Sequence, residues 1–258
     1  MGTAGDGGPN PILGGYIHLG GEDLLNNVSE RRVVHLWSLG EDVAVEPGAG
    51  VDTVTLRARS GDEHLVVDAF VREALRRMEH GPIRLVNVGR PDVPVDDGRV
   101  GDDERVVDDR RAVDGGRADG ESAAYLALEP VLRQVSHLVV CSLGVDDLLG
   151  PLLSVRTRIR NVLFAPVAVE EKQLVRLTWG VRLSMETEGL VMECEDSDYQ
   201  VVVHRPEAVW VVGMLIRPCT TGDAARTLPL PEGIARSVIG YLVAAGMAVP
   251  TEKRRRRI

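Results

Sequence analysis

Apolar residues recur along this chain with two different periods. Between Leu174 and Val249, short runs at Val181 to Leu183, Leu190 to Met192 and Tyr199 to Val203 precede longer stretches ending in Tyr241-Leu-Val-Ala-Ala-Gly246-Met-Ala-Val. Short alternating runs predict strands, and the longer stretches with apolar residues a helical turn apart predict helices packed on them. That order of elements suits a small winged-helix-like module. A looser version comes earlier: Val54, Leu56 and Ala58 alternate, Leu65 to Val67 forms a second run, and Phe70, Val71, Leu75 and Met78 fall at helical spacing. Gly81-Pro82 then stops the helix.

The pattern fails between residues 89 and 121, where acids, arginines, glycines and prolines crowd together without an apolar period. Such a stretch reads as an acidic linker or solvent loop. Its aspartates, among them Asp96, Asp97, Asp102, Asp103, Asp108 and Asp109, lack the ligand alternation and closing glutamate of a calcium loop, so solvation accounts for them. Beyond it, Ala123 to Val140 reads as a helix, interrupted by Pro130, that runs into a buried strand. Arg156, Arg158 and Arg160 alternate as though one face of a strand were basic. The expected organisation is α+β: a flexible N-terminus over 1–29, a first winged-helix-like module over 30–88, the acidic linker over 89–121, a connecting segment and second winged-helix-like module over 122–249, and a basic tail over 250–258.

Composition narrows the chemistry. With 258 residues, 44% of them hydrophobic, the chain is long enough to bury a core without staples. Two Phe, three Trp and four Tyr argue for a core of Val and Leu and against base-stacking platforms. Trp179 and Trp210 are expected as core anchors. The formal charge of −9 repels nucleic acid, which places a transcription regulator behind other readings. Cys141, Cys194 and Cys219 lack the spacing of a zinc site and read as buried free thiols. No apolar run suits a signal peptide or a membrane span, so the expected location is cytoplasmic, with no membrane partner. Ser142 and Ser154 have no base placed beside them in sequence, and His204, before Arg205-Pro206, reads as a turn or helix-start residue. Neither a glycine-rich dinucleotide loop after a strand nor a phosphate cradle is present, so no cofactor, metal or catalytic residue is assigned.

One stretch, His137-Leu-Val-Val-Cys-Ser-Leu-Gly-Val-Asp-Asp-Leu-Leu-Gly-Pro151-Leu-Leu-Ser-Val155, resembles the region ahead of the flavin domain in SagB-type azoline dehydrogenases. Ala69 to Val88 is similar to the first half of that leading region, through Arg72-Glu-Ala-Leu-Arg-Arg-Met78 and Gly81-Pro82-Ile-Arg-Leu-Val-Asn87. Leu177 to Val249 is similar to its second half, through Gly189-Leu-Val-Met-Glu193, Val203-His204-Arg205-Pro206 and Ala244-Ala-Gly246-Met247.

The resemblance implies a part in making azole rings on a ribosomal precursor peptide. In that family FMN serves azoline oxidation in a nitroreductase-like domain, and winged-helix-like modules of related proteins bind the leader segment. This sequence reaches Thr251-Glu-Lys-Arg-Arg-Arg-Arg-Ile258 where the flavin domain is expected to begin, so no independent catalytic activity is expected. The function expected is that of a non-catalytic precursor-peptide-binding or scaffold protein; the alternative is a subunit of a split FMN-dependent azoline dehydrogenase. The partners expected are a precursor leader peptide and an azoline dehydrogenase or cyclodehydratase. The peptide is expected along a strand edge built from Val181, Arg182, Leu183, Tyr199, Val201 and Val203 with the helix ending near Tyr241, Arg182 and Arg205 selecting acidic residues.

Overall fold

The computed structural model describes residues 32–88, 115–147 and 149–251. The acidic aspartates and most of the basic tail lie outside the described residues, as does the expected flexible N-terminus. The architecture is mixed α+β, with every strand pairing antiparallel in three sheets.

Strand β1 (Val33–Leu39) leads into a three-stranded sheet of β2 (Ala44–Pro47), β3 (Thr53–Ala58) and β4 (Gly61–Val66). Helix α1 (Ala69–Glu79) follows, started by Asp68, whose Oδ1 accepts from the Val71 amide at 2.8 Å. Its Val71, Ala74, Leu75 and Met78 are buried. These fall at the spacing of one helix face, which is what the sequence pattern required. A 3-10 turn over Leu85–Val88 comes next.

Helix α2 (Gly115–Gln134) begins inside the interval expected from sequence to be linker and runs unbroken through Pro130. Proline removes one amide donor, the one that otherwise reaches the Leu126 carbonyl, and the packing of Leu128 and Leu132 in the core holds the helix across that gap.

The central sheet comes next: β5 (Val139–Val145), β6 (Pro151–Thr157), then β8 (Arg182–Glu186), β9 (Gly189–Glu193) and β10 (Tyr199–Val203), with β7 (Leu174–Leu177) set aside for the third sheet. The six strands lie in the order β1-β5-β6-β10-β9-β8. Every residue of β5 is buried, because that strand is covered on both faces. Val33 to Leu39 therefore pairs with Val145 to Val139, far along the chain, rather than with its sequence neighbours.

The C-terminal part supplies α3 (Pro206–Met214), β11 (Cys219–Thr220), α4 (Thr221–Thr227), α5 (Glu232–Ala244) and β12 (Ala248–Thr251). Proline at the first position of α3 has its φ preset for a helix, and Thr220 and Asp223 form a reciprocal capping box at α4. The third sheet has the order β11-β7-β12. Gly240 lets α5 lie against the main chain of Val167, since a Cβ there would collide with that carbonyl oxygen. One continuous core joins Trp37 and Leu56 to Leu153, Val201, Val238 and Leu242. No helix among the described residues is long and apolar enough to cross a membrane.

Candidate functional site

The residues expected to hold a peptide do not form one surface. Tyr199–Val203 is interior, with β6 on one side and β9 on the other; Val201 faces Val155 and Met192. The place beside β10 that an added strand needs is filled by β6 of the same chain, so the edge expected there is not an edge. Val201 and Val203 are buried core residues. Arg182 and Leu183 lie on β8, the terminal strand, with Val181 just before it. Tyr241 is fully buried, its hydroxyl donating to the Ser142 carbonyl at 3.3 Å.

Arg205 is not available to a peptide either. Its guanidinium is buried and committed: Nη1 lies 2.9 and 3.0 Å from the two Asp147 carboxylate oxygens, and Nη2 lies 2.5 Å from Glu207 Oε1. Burial works to lower the Arg205 pKa, but the two carboxylates outweigh it and raise it. The expected basic face is likewise neutralised, because Arg156, Arg158 and Arg160 each meet a carboxylate, on Glu188, Glu193 and Glu63. The sequence displays the arginines but not their partners, which come from β4, from β9 and from the turn ahead of β9.

A cleft lies instead on the helix-covered face of the central sheet. A cavity of about 410 Å³ is lined by His35 and Trp37 of β1, Leu85, Tyr125 and Leu126 of α2, Cys141 of β5 and Pro166. A second, of about 270 Å³, shares His35 and Pro166 and continues past Val167, Ala168 and Val169 to Arg236, Ser237 and Tyr241 of α5. Together they form a trough between α2 and α5. Its walls are aromatic and aliphatic: Trp37 and Tyr125 meet at 5.8 Å between ring centroids. Leu126 stands at the rim, 70% exposed. Arg236 marks the far end, paired with Glu232. An apolar trough of this size with a few polar groups at its ends accepts hydrophobic side chains and desolvates them. The sequence signal for it was slight, because α2, β1 and α5 are separated by long stretches of chain.

The opposite face of the sheet carries a chain of polar groups. Ser142 Oγ lies 2.7 Å from Ser154 Oγ, Ser154 Oγ 2.8 Å from His204 Nε2, and His204 Nδ1 3.0 Å from the Glu188 carbonyl oxygen. A carbonyl cannot donate, so Nδ1 carries the proton and Nε2 accepts from Ser154. The two serines face each other across β5 and β6 in register, which is why they meet. The histidine reaches them because β10 is the next strand. This arrangement satisfies buried hydroxyls, and it supplies Ser154 with the base that the sequence alone did not place beside it.

Both tryptophans expected in the core are at the surface. Trp179 is 80% exposed, with the Arg176 guanidinium 5.3 Å from its ring centroid, and Trp210 is 44% exposed on α3. All three cysteines are free and buried. Among the described residues no group of three or more His, Cys, Asp or Glu side chains is placed to hold a metal ion.

Compared with known proteins, the chain matches no family model, and no curated protein matches it significantly.

Proposed function

We propose that this chain is a non-catalytic peptide-binding scaffold, and that its ligand is the leader segment of a precursor peptide destined for azole formation. The observation that carries the reading is the apolar trough walled by Trp37, Tyr125, Leu126, Pro166 and Tyr241. Two or three apolar side chains of a peptide fit such a trough, each contributing about 1.5–3 kcal/mol on leaving water. The leader is the occupant suggested by the resemblance of His137 to Val155 and of the flanking segments to the region ahead of the azoline dehydrogenase flavin domain.

The element order β7, α3, β11, α4, α5, β12, with the three strands in one sheet, supports reading the C-terminal part as winged-helix-like. In this reading the protein works in the cytoplasm, where precursors are made, and presents the bound peptide to an azoline dehydrogenase or cyclodehydratase.

Calorimetric titration of the purified protein with leader peptides encoded beside its gene tests the reading. A neighbouring leader should bind saturably, and Leu126→Glu, which places a charge at the trough rim on an exposed position, should weaken it at least about tenfold, the equivalent of roughly 1.4 kcal/mol. Absence of binding by every neighbouring leader overturns the function. Unchanged binding by folded Leu126→Glu overturns the site.

A further inference from the structure

Among the described residues, strand β8 ends the central sheet and pairs only with β9. All five of its residues are exposed, including Leu183 at 48% and Met185 at 78%. Edge strands in soluble proteins are commonly blunted by proline, lysine or a covering segment. This one reads Arg-Leu-Ser-Met-Glu and contains neither residue.

The alternation of the ladder fixes what the free side offers. Glu186 and Gly189 close a two-residue turn, so Arg182, Ser184 and Glu186 direct their main-chain groups toward β9, while those of Leu183 and Met185 point away from it. The side chains alternate across the sheet in the same way, putting Arg182, Ser184 and Glu186 on one face and Leu183 and Met185 on the other.

We propose that β8 is a self-association edge, which pairs antiparallel with β8 of a second copy of this chain about a two-fold axis at Ser184. In that register Arg182 of each copy stands opposite Glu186 of the other, Leu183 stands opposite Met185, and Ser184 meets its own equivalent. The strand is complementary to itself in charge and in apolar content, as an isologous contact requires. Leu183 and Met185 then exchange main-chain hydrogen bonds as the hydrogen-bonded pair. Sliding by two residues one way sets Arg182 opposite Ser184 and Glu186 opposite Gly180; the other way sets Glu186 opposite Ser184 and Arg182 opposite Glu188 of the turn, which Arg156 already holds, so the central register alone matches both charges of the strand. Exposed Trp179, just before the strand, adds apolar surface beside the seam. The paired sheets become one continuous sheet. Because β8 and β1 are opposite edges, the trough beside β1 stays open, and the pairing stands independently of the peptide reading.

Sedimentation analysis over a range of concentrations, with folding of each variant checked by circular dichroism, tests this directly. The full chain should dimerise reversibly. Arg182→Glu and Glu186→Arg should each weaken the dimer at least tenfold by setting like charges opposite each other, and the double reversal Arg182→Glu, Glu186→Arg should restore it to within about threefold. Ser184→Cys should form an intermolecular disulfide on mild oxidation, since a non-hydrogen-bonded pair brings Cα atoms to about 4.5 Å. The three native cysteines are buried and do not compete. A chain that stays monomeric at every concentration, a dimer indifferent to the single reversals, or a double reversal that fails to restore it overturns the proposal. So does a monomer that uses this edge for an unrelated extended peptide.

Discussion

The Tyr241 hydroxyl lies 2.7 Å from His35 Nδ1, and the two rings stack 7° from parallel with centroids 5.7 Å apart. The contact ties α5 to β1 across 206 residues of chain. The hydroxyl donates to the Ser142 carbonyl, so the histidine donates to the hydroxyl. Cys141 Sγ stands 3.7 Å from the same oxygen. The floor of the trough is thus held by one phenol that links a helix to two strands.

Tyr241→Phe keeps the ring and removes only that hydroxyl. The Ser142 carbonyl loses a partner in a buried setting and the exposed His35 loses its tie to α5, at a cost of about 1–3 kcal/mol. Urea unfolding should show the midpoint falling with the slope unchanged. An unaltered midpoint means the hydroxyl contributes nothing to stability.

Glu207 gives the fold a dependence on acid. Burial pushes its carboxyl pKa up, but the hydrogen bonds and charge of Arg205 prevail and hold it below the ordinary value. A folded pKa below the unfolded one contributes stability that is present above about pH 4.3 and lost as pH falls through the folded value. Arg205→Met leaves Asp147 and Glu207 without their shared cation, and should cost about 3 kcal/mol or more at pH 7. It should also move the start of acid destabilisation to higher pH. Thermal unfolding of both proteins from pH 7 to pH 3 measures both effects, and parallel curves with no offset contradict the account.

Burial pushes the Cys141 thiol up to about 12, even though the Tyr241 hydroxyl acts the other way. Very little thiolate exists at pH 8, and the residue is buried. Maleimide labelling mapped by mass spectrometry should leave Cys141 unmodified in the native protein and modify it on unfolding in urea. Rapid native labelling contradicts the placement of Cys141 in the core.

Local elements were legible because the signals for them are local. Val54 and Leu56 alternated and became β3, Val71, Leu75 and Met78 at helical spacing became the buried face of α1, and Leu190 to Met192 and Tyr199 to Val203 became paired strands. What the pattern lacked was strand neighbours. Period two says that Val201 has a buried face, but not that β6 lies beside it, and an interior strand reads much like an edge strand with an apolar face. The same gap hid the carboxylates opposite Arg156, Arg158 and Arg160, and the bond between Ser154 and His204. Trp179 was misplaced because an aromatic residue near an apolar run is usually buried; here it stands ahead of β8, where the sheet has ended.

The pairing of β1 with β5 sets the order in which the protein can assemble. Val33 cannot meet Val145 until the intervening chain, which carries a sheet of its own, has left the ribosome. Strand β1 is therefore held in waiting while β2, β3, β4 and α1 form from near neighbours. Closing so long a loop is an entropic toll that local hairpins such as β8 and β9 escape, and it falls late in folding. Chains released before Val145 leave β1 without its partner strand, so ribosome-bound fragments that end before and after that residue should differ in protease resistance at their N-terminal end.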